Sequence, residues 1–279
     1  MIVVTGASGR LGGAAVRTLL ETVPAGEIAV LVRDPGSVPD LTAAGVTVRR
    51  GDYEDPASLK EAFADADRLL FVSSPDVTPG VRARQHAAVV HAATEAGVGH
   101  VVYTSAVAAD AEGGAPGFLA DHTTTEALLR DSGLPVTLLR NSFYSEVFVN
   151  PESVAAAVAA GETVAADGGQ ALNTATIDDL ARAAAAVLAP ADGSAHAGRA
   201  YELRGPVWTY DELAATIAEE SGTPVVHRRL ALDEAGELAF LGGLVSSGLF
   251  AQPSDDLATL LGRPATGIRE LVRAALARG

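Results

Sequence analysis

The stretch IVVTGASGRLGG sets three glycines, Gly6, Gly9 and Gly12, between a β-branched run and the start of an amphipathic segment. Glycine at the first position permits a tight turn, and at the second it lets backbone amides approach an anion. At the third it allows the following helix to pack closely on a sheet. With a helix N-terminus behind it, such a turn suits a pyrophosphate, and Gly6, Ser8, Gly9, Arg10, Leu11 and Gly12 are the candidate contacts. A merely structural turn is the alternative. The second β-branched run ends in LVRDP, where an NAD site would carry Asp or Glu for the ribose 2′-hydroxyl. Arg33 stands there instead. Together with Arg10 it is suited to grip a 2′-phosphate, so the expected cofactor is NADP(H). Asp34, beside Pro35, reads as a turn residue.

Ligands of open parallel sheets sit outside the carboxyl ends of the strands. That rule adds Asp52 and Tyr53 after the third strand, Ser73, Ser74 and Pro75 after the fourth, and Thr104 and Ser105 after the fifth. A turn role is the alternative for Asp52, while Asp55 is the expected cap of the next helix, with Pro56 at its first position. Toward the reacting end, His122, Asn141 and Tyr144 are the candidate catalytic groups; Phe118, Phe143 and Phe148 are the candidate substrate contacts. His122 suits a hydrogen bond to the nicotinamide ribose or, as imidazolium, stabilisation of oxyanion charge, with Glu126 at i+4 fixing its tautomer. The alternative is that Asp121, His122 and Glu126 are ordinary helix-start residues. Core packing is the alternative for each aromatic, and Trp208, before Thr209, reads as a hydrophobic staple. His122 and Glu126 have no further ligands grouped with them, so no metal site is expected.

Elements that position these residues are legible in the apolar rhythm. Ile2–Thr5, Ile28–Val32, Val46–Arg49, Leu69–Val72, Val101–Tyr103 and Val136–Leu139 read as strands. Helical patterns at Leu11–Leu20, Ser37–Ala44, Ala57–Ala64, Val81–Ala96 and Thr123–Asp131 alternate with them. The expected fold class is α/β: a doubly wound parallel Rossmann sheet with a smaller C-terminal α/β substrate lobe. Residues 1–150 are the expected NADP-binding domain, with 170–190 packing back on it, and 151–279 the substrate-covering lobe. In the lobe, helices are expected at Pro151–Ala160, at 174–189 with Asp178 as cap, after Thr209, and twice near the end. Strands are expected at 198–205 and 224–230, and the Gly-rich 241–250 as a mobile loop or broken helix.

Composition narrows the chemistry. The net charge is -15 and Lys60 is the only lysine, which argues against a nucleic-acid surface and leaves the cationic work to arginine. There is no cysteine, so disulfides, thiolate catalysis and zinc–thiolate sites are excluded. No apolar run reaches the roughly 18 residues of a membrane span, and no signal peptide is apparent. A cytoplasmic protein acting on a small molecule is the expectation.

TGASGRLGG, VRDP, GDYEDPASL, YTSA, DHTTTEALLRDSGLPVTLLRN and the terminal LLGRPATGIRELV resemble the NmrA-like, atypical short-chain dehydrogenase/reductase group. Within it the chain looks most like bacterial type-2 NADPH:quinone oxidoreductases, with triphenylmethane reductases as near relations. The resemblance implies an NADP(H)-binding Rossmann domain and a small lobe closing a substrate cleft. It also admits a non-enzymatic NADP(H)-binding redox sensor. Standard members of the wider superfamily carry Y-x-x-x-K where this chain has Phe118 and His122, which speaks against alcohol dehydrogenase, epimerase or dehydratase chemistry. Hydride addition to an ordinary ketone gives an alkoxide about as basic as the hydroxide of water, whose pKa is about 15.7. Addition to a quinone gives a delocalised phenolate, with a conjugate acid near pKa ~10. The gap corresponds to roughly 8 kcal/mol at about 1.36 kcal/mol per unit. A quinone or similar conjugated electrophile therefore needs no phenolic acid, and an NADPH-dependent reductase of such acceptors is the expected function.

Overall fold

The computed structural model describes residues 1–110, 117–190, 195–236 and 239–278, with Phe118 described by its backbone alone. The expected alternation is realised as β1 (Ile2–Thr5), α1 (Arg10–Leu19), β2 (Ile28–Val32), α2 (Pro39–Ala43), β3 (Thr47–Arg50), α3 (Pro56–Phe63), β4 (Arg68–Phe71), α4 (Val81–Ala96), β5 (His100–Ala106), α5 (Ala120–Asp131) and β6 (Val136–Asn141). The chain continues through β7 (Phe143–Tyr144), α6 (Ser145–Phe148), α7 (Pro151–Ala160), β8 (Glu162–Ala165), β9 (Leu172–Ala175), α8 (Ile177–Leu188), β10 (Ala200–Leu203), β11 (Val207–Trp208), α9 (Tyr210–Ser221), β12 (Val226–Arg229), α10 (Ala239–Ser246), α11 (Asp256–Leu261) and α12 (Ile268–Leu276).

The main sheet runs β10-β6-β5-β4-β1-β2-β3, and the pairs from β3 through β6 are parallel. Its order reverses between β1 and β4, the crevice where parallel sheets bind dinucleotides. The β10 ladder advances in step with β6: Gly198 N–H donates to Val136 O, Leu138 N–H to Arg199 O and Ser142 N–H to Leu203 O. Every residue of β1 and β2 is buried, as expected of strands covered on both faces. One face packs Val3, Leu31, Phe63, Leu69, Phe71, Val89, Tyr103 and Leu129 into a continuous core. Each such large side chain contributes roughly 1.5–3 kcal/mol by leaving water. Helix α1 turns Leu11, Ala15, Val16 and Leu19 inward, the spacing of an amphipathic face.

Two compact units result, Met1–Asn141 with Leu180–Glu202, and Ser142–Asp179 with Leu203–Gly279. The later segment of the first unit is tied to β4, where Arg68 donates to the carbonyls of Leu188, Ala189 (3.2 Å) and Pro190 (2.8 Å). A guanidinium there satisfies carbonyls that a helix leaves open at its C-terminus. The second unit holds a three-stranded sheet, β11-β9-β7, and a parallel pair, β12-β8. Helices α7, α9 and α12 pack together within it.

Local chemistry sets the helix starts. Asp55 caps α3 through Ser58 N–H with Pro56 next, and Thr209 and Glu212 form a capping box on α9. The cap of α8 is Thr176, whose Oγ1 accepts from Asp179 N–H at 3.0 Å, and not Asp178. Residues 172–175 are drawn into β9, so the helix starts later than the expected 174 and Asp178 falls in its first turn. The Gly-rich 241–250 is neither wholly loop nor broken at its paired glycines. Helix α10 runs through Gly242 and Gly243, the first of them lying so close to Ala166 that a side chain there would stand 2.8 Å from its carbonyl oxygen, and the turn comes later, at left-handed Gly248. Among the described residues, no helix is long and apolar enough to cross a membrane.

Candidate active site

The glycine turn between β1 and α1 leaves no room for side chains. Gly6 has a φ of +62°, which L residues rarely adopt, and a Cβ on Gly12 would lie 2.4 Å from Gly6 O. No side chain caps the N-terminus of α1, and its first turn carries no acid. Uncapped amides behind a glycine cradle are the donor set a pyrophosphate requires. Arg10 and Arg33 are exposed beside it, with no ion-pair partner among the described residues. Arg50 ends β3 opposite Val32 in register and is likewise exposed and unpaired; sequence reading passed over it because Arg49 and Arg50 look interchangeable. Arg49 is instead turned away, to Ala62 O and Asp65. Asp34 accepts from Gly36 N–H at 2.9 Å, a turn contact that leaves Arg33 as the charge after β2.

Several other candidates have their polar atoms committed to protein. Tyr53 Oη lies 2.6 Å from Thr5 Oγ1 and donates to Val72 O at 2.7 Å, and burial pushes its phenol pKa up. Asp52 accepts from Glu54 N–H at 3.0 Å within a turn. Ser73 N–H donates to Thr104 Oγ1, Ser74 Oγ accepts from Asp76 N–H, and Pro75 is exposed. Ser105 Oγ donates to Glu126 Oε1 at 2.6 Å. Asn141 is buried at the end of β6, and its Oδ1 has no hydrogen-bond partner among the described residues. An orphaned buried amide oxygen costs free energy until a donor reaches it, and a carboxamide of a ligand is such a donor.

His122 lies in the first turn of α5, buried, with Nδ1 2.8 Å from Tyr103 Oη. Burial, reinforced by Arg82 and opposed by Glu126, pushes its pKa down to about 4. It is therefore neutral at pH 7, the form that carries one ring N–H and no positive charge. Glu126 does not fix its tautomer. The Glu126 carboxylate accepts from Arg140 Nε (3.0 Å) and Nη2 (2.8 Å), from Arg130 and from Ser105, so both oxygens are occupied. Burial raises this carboxyl, yet those hydrogen bonds and the arginine charges bring it below its ordinary value. Arg140, Tyr103 and His86 were not singled out from the sequence, where no fixed spacing announces them.

Phe118 was expected to line the substrate site, but its side chain lies outside the described residues. In the second unit, Phe143 and Phe148 are half-buried in an aromatic run. Ring centroids lie 4.6 Å apart for Phe250 and Phe143, 6.0 Å for Phe143 and Phe148, and 5.9 Å for Phe148 and Trp208. Trp208 pairs with Leu172 and donates Nε1–H to Thr174 Oγ1 at 3.1 Å, so it is built into the sheet before α9. Tyr144 is half-buried in β7. Among the described residues no cluster of His and acidic side chains is arranged to hold a metal.

The NmrA-like family matches residues 1–236. The chain belongs to the NmrA-like family. Among its NmrA-like relatives, quinone oxidoreductase 2 of Escherichia coli is 40% identical, over 98% of this chain and 97% of the relative. Triphenylmethane reductase of Citrobacter sp., solved with NADP(H), has a TM-score of 0.93 and 37% identity over 99% of this chain and 100% of its own. An Escherichia coli NADPH-dependent quinone oxidoreductase solved with NADPH has a TM-score of 0.88 at 38% identity, over 98% of this chain and 99% of its own. The tightness at Gly12 and the uncapped α1 fit the NmrA-like chain to a dinucleotide of that kind.

Proposed function

We propose that the protein is an NADPH-dependent reductase that passes hydride to a quinone or a similarly conjugated small electrophile, without a Tyr/Lys pair. The observation that carries this reading is 40% identity, along almost the whole length of both chains, to a quinone oxidoreductase. When bound, the reduced nicotinamide supplies the hydride. The glycine turn and the amides of α1 hold the pyrophosphate, and Arg10 and Arg33 hold the 2′-phosphate. Asn141 Oδ1 takes the carboxamide, and His122 offers an N–H to the reacting end. In this reading the first unit binds the cofactor, and the second supplies the acceptor-binding surface through Phe143, Phe148 and Tyr144. A neutral His122 is not a strong acid, which suits an acceptor that keeps its charge as a phenolate.

The test is to mix the protein with NADPH and a panel of benzoquinones and naphthoquinones and follow the absorbance of the reduced nicotinamide. Turnover with at least one quinone is expected. Tight NADPH binding without turnover of any acceptor would overturn the reductase reading in favour of a regulator. Arg33→Asp is expected to weaken NADPH by about 10- to 100-fold, the worth of charge-assisted hydrogen bonds. NADH is expected to change little; equal losses would refute the 2′-phosphate role.

A further inference from the structure

Three side chains and one backbone amide, from different parts of the first unit, converge behind His122. Ser74 N–H donates to His86 Nε2 at 2.9 Å. A backbone amide can only donate, so His86 Nε2 is an acceptor and the proton of this neutral imidazole sits on Nδ1. His86 Nδ1 lies 2.8 Å from Thr125 Oγ1, whose own hydrogen goes to Asp121 O at 2.7 Å. Thr125 therefore accepts from His86. The phenol of Tyr103 has two ring nitrogens in reach, His86 Nδ1 at 3.4 Å and His122 Nδ1 at 2.8 Å. Thr125 Oγ1 also faces the phenol but already accepts from His86, and His86 Nδ1 already carries a proton, so the Tyr103 hydrogen goes to His122 Nδ1, the contact at 2.8 Å. His122 is then the Nε2–H tautomer, and Nε2 has no hydrogen-bond partner among the described residues.

We infer that Ser74, His86, Thr125 and Tyr103 form a tautomer lock that holds His122 as a fixed Nε2–H donor for the reacting end of the site. His86 and Tyr103 are positioning residues; they act through His122. The groups facing His122 are Arg82 and His86 on α4, Tyr103 on β5 and Glu126 on α5. Burial, with His122 and Arg82, pushes the His86 pKa down to about 3, so the lock stays neutral across ordinary pH. The α5 N-terminus follows β5 and so lies at the carboxyl end of the sheet, where a donor can serve a ligand. The assignment rests on the reductase reading for its catalytic meaning, and on geometry alone for the tautomers.

Two measurements test it. In protein labelled with 15N-histidine, long-range proton–nitrogen correlation at neutral pH should show His122 protonated on Nε2 and His86 on Nδ1. A proton on His122 Nδ1, or a charged ring, overturns the lock. In quinone reduction, Tyr103→Phe should lower kcat about tenfold with the KM for NADPH unchanged. His122→Gln keeps an amide N–H donor but has no tautomer, and its own lowered kcat sets the reference for the second background. Adding Tyr103→Phe to His122→Gln should then cost nothing further, because there is no tautomer left to set. Equal losses in both backgrounds would show a merely structural phenol and overturn the inference. Should the tautomers hold while no quinone is turned over, the reductase reading fails and the lock stands.

Discussion

Glu126 and Arg140 form a bidentate pair with 1% and 5% of each residue exposed, and Ser105, Arg130 and Glu202 add further contacts. Removing one partner of a buried pair leaves the other charged and desolvated, which costs about 3–5 kcal/mol. Arg140 keeps only the part-exposed carboxylates of Asp110 and Glu202 after Glu126→Gln, so the variant is expected to lower unfolding free energy by about 3 kcal/mol in urea titrations, and a loss below about 1 kcal/mol would show that those two carboxylates suffice. The same residues mark where sequence reading ran out. Gly6, Gly9 and Gly12 are legible because their chemistry is local, one turn between one strand and one helix. Tyr103 and His122 lie 19 positions apart and Tyr103 and His86 lie 17 apart, on elements that only tertiary packing brings together. Glu126 illustrates the reverse error: i+4 spacing put it beside His122 on the helix, but the stronger cation on β6 took its carboxylate.

At the scale of elements, the α1–β1 junction is the tightest place that bears on function. A methyl group on Gly12 would meet Gly6 O at 2.4 Å and Thr5 O at 3.0 Å, backbone atoms that cannot rotate away. Gly12→Ala should cost about 1–3 kcal/mol of stability, measured by thermal or urea unfolding, and weaken NADPH because α1 must shift outward. Thr209→Ala should cost about 1 kcal/mol through the lost α9 cap and leave NADPH binding unchanged. Strong helical periodicity and caps made most helices legible, and Pro151–Ala160 agrees to the residue. What escaped were the two-residue strands β7 and β11, and the short β8 and β9, whose pairing depends on partners far along the chain. Asp178 was taken for a cap because Asp is a good one, but β9 extends far enough to hand that position to Thr176.

Across the whole molecule, the depressed histidines make stability depend on pH. The unfolded chain takes up protons as pH falls through about 6.5, while the folded chain resists until about 4 at His122 and about 3 at His86. Over that window the unfolded state binds more protons, so stability falls as pH falls, by roughly 2 kcal/mol per histidine at about pH 5. His100 and His196, also lowered by burial, act in the same sense. Urea midpoints at about pH 7 and about pH 5 should show the drop, and His122→Gln should reduce it by roughly the share of one histidine; a pH-independent midpoint would contradict neutral burial. The doubly wound plan was legible from alternation alone. The return of the chain after Leu180 to complete the first unit was expected only over 170–190, because β10 at Ala200–Leu203 reads like any short strand.

That return governs how the protein can be recombined. The second unit is written in two blocks, 142–179 and 203–279, so exchanging it whole for that of a relative requires three junctions, at 141/142, 179/180 and 202/203. A single splice near residue 150 would import a foreign seventh strand along with the second unit and set it against the native edge of β6. Changes to the second unit are thus reached by point substitution more readily than by swapping a cassette.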